Sequence, residues 1–188
     1  MRKKGQSTSY YGSEKEILDA FAKLLDQNRS ANIKVTDITT EAGLAASSFY
    51  IHYRSVGDLI EVNEKRILDA VDKTLSSPGF DKLTVQGKWR NILFALYKYH
   101  EVIDIMVKTR NIELFEKVFD DIERTVITSQ LGNKPLNKDL SHIIKLCLIA
   151  ELDFWQKEHL SIDYIPVCAC HLAFISSCAP RLFARMYY

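Results

Sequence analysis

Two stretches hold most of the side chains that could do chemistry. The first runs Ala46-Ser47-Ser48-Phe49-Tyr50-Ile51-His52-Tyr53-Arg54. Small side chains at Ala46, Ser47 and Ser48 permit close approach to base edges, while Tyr50, His52 and Arg54 offer donors to phosphate oxygens. No Asp or Glu stands between Ala42 and Arg54, so this stretch does not repel a polyanion. Arg2, Lys3 and Lys4 form a basic arm with no acid before Glu14, suited either to a DNA minor groove or simply to keeping the chain soluble. The second stretch, Cys168-Ala169-Cys170-His171, has metal-ligating residue types. On a helix, however, residues two apart point about 200° away from each other and do not easily share one ion. Buried reduced thiols are the expectation, with a redox switch as the alternative, and no metal or cofactor is assigned.

Catalytic patterns are missing. The chain has no Gly-x-x-x-x-Gly-Lys phosphate loop and no Gly-x-Ser-x-Gly elbow, and His100-Glu101 is followed by Asp104 where a zinc-protease helix needs its second His. Glu113, Glu116, Asp120, Asp121 and Glu123 recur as the solvated face of an amphipathic helix. The chain is therefore expected not to be an enzyme. Asn28-Arg29-Ser30 reads as a loop, since no secretory signal supports glycosylation there.

These residues need a scaffold, and composition narrows it. A length of 188 residues suits one compact unit, with 47% hydrophobic and 26% charged residues. Only 7 Gly and 4 Pro disfavour a turn-rich β-sandwich. The net charge of +1 divides slightly, with 8 Lys/Arg against 6 Asp/Glu in residues 1–54 and 17 against 18 in residues 55–188. No run approaches the ~18 apolar residues of a membrane span. The basic start is followed by the polar segment Gly5–Gly12, so a cytoplasmic protein without a membrane partner is expected.

Periodicity predicts an all-α chain. Ser13-x-x-Glu16 has the form of a capping box for a helix over 13–27, with Ile17, Leu18, Phe21, Ala22, Leu24 and Leu25 at helical spacing. Short helices follow near 35–42 and after Ala45, separated by Gly43. Ser55 is placed to cap a long helix over 56–76, whose Leu59, Ile60, Ile67, Leu68, Val71 and Leu75 keep the 3.6 period until Pro78-Gly79. Further helices are predicted near 84–99, 101–109, 112–129, 138–158 and 163–186. In 138–158, Leu140, Ile143, Ile144, Cys147 and Phe154 form one stripe, while Leu146, Leu148, Ile149, Ala150 and Leu152 nearly complete the circle. The segment 163–179 repeats the trait. Two such helices in a small chain are best covered by a second copy, giving a homodimer through 138–158 and 163–186 as a four-helix bundle.

Val35–Ala42, Gly43-Leu44-Ala45 and Ala46–Tyr53 fit a helix-turn-helix with Ile38, Ala42, Leu44 and Phe49 as its apolar core. Over about 45 residues the chain resembles the tetracycline-repressor (TetR) family of bacterial transcription regulators. The resemblance rests on Ile17-Leu18-Asp19-Ala20-Phe21, Ile38, Ala42-Gly43-Leu44, Ser48-Phe49-Tyr50-Ile51-His52-Tyr53, Arg54-Ser55 and Asp58-Leu59, with Tyr50-x-His52-aromatic as its specific part. It implies a flexible basic arm over 1–12, a three-helix DNA-binding domain over 13–55, and a helical regulatory and dimerisation domain over 56–188. It further implies a ligand-responsive repressor that binds a quasi-palindromic operator, with Tyr50 and His52 at phosphates and Ala46, Ser47 and Ser48 reading bases. Thr36 would reach a base or phosphate. Lys34 replaces the usual Thr cap, which implies weaker capping but allows phosphate contact. Val56 replaces the usual phosphate-binding Lys and leaves only backbone N–H groups at that helix end. An apolar inducer would find aromatic candidates in Trp89, Tyr97, His100, Phe119 and Trp155, which core packing explains equally well. Val56 and Ala46 favour the rival reading, a TetR-fold interaction protein acting through protein binding with weak or no specific DNA contact.

Overall fold

A computed structural model of the chain describes residues 10–27, 33–108, 112–131, 138–158 and 161–186. The described residues form nine α-helices and no strand, in line with the predicted all-α class. Arg2, Lys3 and Lys4 lie outside the described residues.

Helix α1 (Tyr10–Gln27) starts three residues ahead of the predicted cap. Ser13 is instead a buried residue inside the helix, its hydroxyl 2.7 Å from His52 Nε2, so a tertiary contact has taken the side chain that spacing assigned to capping. Ile17, Leu18, Phe21 and Ala22 turn inward as the period required. Helix α2 (Val35–Glu41) and helix α3 (Ala46–His52) are joined through Gly43, whose φ of +67° is the left-handed conformation that glycine adopts without a Cβ penalty. Gly43 N–H donates to Thr40 O at 3.2 Å and Leu44 N–H to Thr39 O at 2.9 Å, the paired bonds of a Schellman ending. Fully buried Ile38 and Phe49 hold the two helices together.

Helix α4 (Val56–Leu75) is capped by Ser55, whose hydroxyl accepts from Asp58 N at 3.0 Å. Its inward line is Leu59, Asn63, Ile67 and Val71, while Ile60, Leu68 and Leu75 are only half-buried. The chain then turns at Gly79 and forms a 3₁₀ turn over Phe80–Lys82. Helices α5 (Val85–Tyr97) and α6 (His100–Lys108) follow. The single helix predicted over 112–129 is interrupted: α7 (Ile112–Ile122) widens into a π turn over Glu123–Ile127 and tightens to 3₁₀ over Thr128–Leu131. The wider turn suits apolar residues five apart, and both Ile122 and Ile127 are buried.

Helices α8 (Lys138–Lys157) and α9 (Ile165–Met186) close the structure, with a 3₁₀ turn over Ile162–Tyr164 between them. Helix α9 packs most extensively on α5 and also on α8, α4 packs on α5 and α7, and α1 packs on α2 and α6. Trp89 Nε1 donates to the buried Ser176 hydroxyl at 2.8 Å, tying α5 to α9. On α8 the core takes Ile144, Leu148, Leu152 and Trp155; on α9 it takes Ile165, Cys168, Ala169 and Leu172. Ile143, Leu146, Phe154, Val167 and Phe174 stay exposed, Phe174 by 67%, so one chain leaves apolar surface on both helices.

Candidate nucleic-acid interface and core cavity

The helix-turn-helix presents an outer surface on which Lys34, Thr36, Ala46, Ser47, Tyr50 and Arg54 are all exposed, with Ser48 half-buried. Tyr50 is exposed by 59% although Phe49 beside it is fully buried, because a helix separates successive side chains by about 100°. Ile51 is exposed by 66% and was not among the predicted contacts. The available signal was its position four residues after Ser47, which places both on one helical face.

Three expectations at this surface need correction. Lys34 makes no side-chain cap bond, as expected, but the loss is offset: its backbone N–H donates to Asp37 Oδ2 at 2.8 Å, a carboxylate one turn inside the helix start. His52 is half-buried and turned toward α1, where Nε2 meets Ser13 Oγ at 2.7 Å. That contact makes it a positioning residue for α3 rather than an outward donor. The start of α4 is not a bare set of N–H groups beside Val56. Asp58 N–H donates to Ser55 Oγ, and Arg54 N–H donates to Asp58 Oδ2 at 2.7 Å, which puts an acidic side chain at that helix end.

Behind the surface lies a polar cluster that spacing did not reveal. Tyr53 Oη donates to Glu14 Oε1 at 2.8 Å and accepts from Asn63 Nδ2 at 3.1 Å. Arg66 Nη1 donates to Glu14 Oε1 at 2.7 Å and to Asn63 Oδ1 at 3.2 Å. One carboxylate thus joins α1, α3 and α4. Burial pushes the Glu14 carboxyl upward, but the hydrogen bonds from Arg66 and Tyr53 and the charge of Arg66 outweigh it and hold the group below its ordinary range. Burial, together with Glu14, pushes the Tyr53 phenol well above its ordinary range, so it remains a donor. On α4 the next residue, Ile67, lines the core cavity, so adjacent positions serve the helix-turn-helix scaffold and the cavity wall.

That cavity is enclosed between α4, α5, α6, α7, α8 and α9 and measures about 20 Å³, room for about one water. Trp89, Phe119 and Trp155 lie in its wall, together with Phe115. Tyr97 and His100 do not. Their rings stack on each other with centroids 5.3 Å apart, and His100 borders a separate polar cleft between α1, α6 and α8. In that cleft Lys15 pairs with Glu101 at 3.1 Å, and Lys108 reaches Asp26 at 2.8 Å and Asp104 at 2.5 Å. The Lys15–Glu101 and Lys108–Asp26 pairs tie α1 to α6, while Lys108–Asp104 lies within α6. Glu151 is the only ionisable carboxylate in the cavity wall; it accepts from His171 Nδ1 at 3.0 Å and from the Cys168 thiol. The expectation of buried thiols holds for Cys168 but not for Cys170, which is exposed because residues two apart on a helix point in nearly opposite directions, while Cys147 is half-buried. Among the described residues no three His, Cys, Asp or Glu side chains converge on a metal position, and no helix is long and apolar enough to cross a membrane.

The architecture defines an all-helical class in which a helix-turn-helix precedes a larger helical bundle. The fatty acid degradation regulator FadR from Bacillus halodurans is similar in structure over 94% of this chain and 98% of its own, with a TM-score of 0.54 and 17% sequence identity. The chain therefore shares the fold of a helical bacterial transcription regulator. The dihydroxyacetone kinase operon activator DhaS aligns over 93% of this chain and 92% of its own at a TM-score of 0.39 and 17% identity, a likeness too weak to weigh. No protein-family model matches the chain, and no curated protein matches it.

Proposed function

We propose that this chain is a sequence-specific DNA-binding transcription regulator of the TetR type, a cytoplasmic homodimer that acts as a ligand-responsive repressor. One observation carries the reading: a helix-turn-helix built around Ile38 and Phe49 holds small Ala46 and Ser47 beside the exposed donors Tyr50 and Arg54. The small residues let α3 approach base edges in the major groove, while Tyr50, Arg54, Lys34 and Thr36 fix its register on the phosphates. His52 acts indirectly by holding α3 against α1. FadR, whose fold this chain shares, is a regulator of fatty acid degradation, which agrees with a regulator in general.

Dimerisation follows from the exposed apolar spacing. Ile143, Cys147, Ala150 and Phe154 on α8, and Val167, Cys170 and Phe174 on α9, recur at intervals of three and four residues along their helices. Pairing these faces across a two-fold axis makes a four-helix bundle and sets two α3 helices over successive major grooves of a quasi-palindromic site. A ligand that binds better to a dimer with the wrong α3 separation lowers DNA affinity by shifting the population.

Selection of genomic fragments by the purified protein tests the reading, with Tyr50→Ala run in parallel. The expected result is an inverted repeat retained by the wild type alone. Lys34 and Arg54 of two protomers would give a log–log salt slope near −4 or steeper. Recovery of no motif at low and moderate salt would overturn the proposal in favour of protein binding.

A further inference from the structure

The outward face of α3 carries a large aliphatic side chain. Among the described large apolar residues only Phe174 is more exposed than Ile51, and Tyr50 stands third. The Tyr50 phenol has a hydroxyl to offer a phosphate, whereas the Ile51 side chain has no polar atom at all. Phe49 is fully buried, and a helix turns by about 200° over two residues, so Ser47 and Ile51, two before it and two after, point away from the core. Ile51 therefore lies near the middle of the face that the DNA-binding reading sets toward base edges. Local folding does not explain an isoleucine at such a position, since Ala, Lys and Glu are all better helix formers.

The rest of α3 limits what the helix can read. In a major groove Arg or Lys selects guanine, Asn or Gln selects adenine, and Asp or Glu accepts from cytosine. Ala46–His52 contains none of these residues. Ser47 both donates and accepts, so its hydroxyl discriminates little between bases. His52 is held at Ser13. What remains is aliphatic surface, and thymine alone among the four bases presents a matching group, its 5-methyl. The surrounding charge favours a polyanion as the occupant of this face. Lys34 and Arg54 are exposed on the same surface, while the neighbouring Asp37 and Asp58 carboxylates accept backbone N–H groups at 2.8 and 2.7 Å.

We infer that Ile51 is a specificity-determining residue that packs on a thymine 5-methyl group in each half-site of the bound DNA. The bases facing the middle of α3 are then recognised by apolar contact, without the paired hydrogen bonds that an Arg or Asn would make. The inference rests on the DNA-binding reading above, and its test separates the failure of one from the failure of the other.

A randomised duplex library is selected with the purified chain, and in the enriched duplex each thymine is replaced in turn by deoxyuridine, which lacks only the methyl group. Burial of one such group corresponds to about fourfold in affinity. At least one thymine per half-site is therefore expected to lose about fourfold on replacement, read by fluorescence anisotropy at fixed salt. Ile51→Ala introduces the best helix former at an exposed position and is expected to keep its Tm. It should bind the thymine and deoxyuridine duplexes equally at that position and retain the wild-type salt slope, since the phosphate contacts are untouched. Ile51→Val, one methylene smaller, serves as a second variant and should fall between the two. Wild-type binding indifferent to deoxyuridine at every thymine would overturn the inference and leave the DNA-binding reading standing. A deoxyuridine penalty that both variants retain in full would do the same, because another residue would then read the methyl. A library that yields no enriched duplex would overturn the DNA-binding reading and this inference together.

Discussion

Replacing Arg66 with Met tests whether the Glu14 cluster holds α3 in place. Met keeps much of the aliphatic length but removes the donor 2.7 Å from Glu14 Oε1, leaving the carboxylate, 14% exposed, with Tyr53 as its remaining cluster donor. A hydrogen bond to a charged group contributes about 1.5–3 kcal/mol. Arg66 is 39% exposed, so solvent screening places the loss at the lower end, about 1.5 kcal/mol. At about 2–4 °C per kcal/mol for a chain of this size, Tm should fall by about 3–6 °C at neutral pH. The sign of the pH dependence follows from Glu14. Its folded pKa is depressed, so its stabilisation is fully present above the unfolded carboxylate range and fades as pH falls through the lower folded value. The deficit of Arg66→Met should therefore be largest at neutral pH and narrow in acid, where Glu14 is neutral in both proteins. Urea denaturation of both proteins across this pH range reads the effect. A deficit independent of pH, or none at neutral pH, would refute the assignment of Arg66 as the partner that keeps Glu14 ionised.

Two further perturbations test other parts of the architecture. Gly43→Ala forces a Cβ into a left-handed residue and should cost about 1–2 kcal/mol; calorimetry should show a lower Tm with weakened operator binding, and unchanged stability would contradict the turn geometry. Phe174→Glu places a carboxylate on an exposed position of α9, so the protomer should fold normally while sedimentation shows a monomer that no longer binds the operator. A persistent dimer would remove α9 from the interface.

Residues with a strong local signal were the easiest to place from sequence. Gly43 between two short apolar repeats, Ser55 ahead of a long period and the inward Ile17, Phe21, Ile38 and Phe49 all follow from backbone freedom, capping chemistry or a 3.6-residue repeat. The early start of α1 and the π turn after Ile122 were not legible, since helix ends and turn width respond to contacts made by distant segments. At the surface, sequence distinguished the small residues at the start of α3 from the donors beyond them. It could not tell that Tyr50 points outward while His52 meets Ser13, because the partner lies 39 residues away.

The chain's own periodicity and turn chemistry thus determined its helical class, the helix-turn-helix and the order of its elements, since these depend on residues within a few turns of one another. Only tertiary packing decided that Glu14, Tyr53, Asn63 and Arg66 meet, and that Trp89 and Trp155 share a cavity without Tyr97 and His100. Those outcomes depend on how helices distant in sequence rotate and settle to bury apolar surface while satisfying their polar groups, and local spacing does not encode that choice.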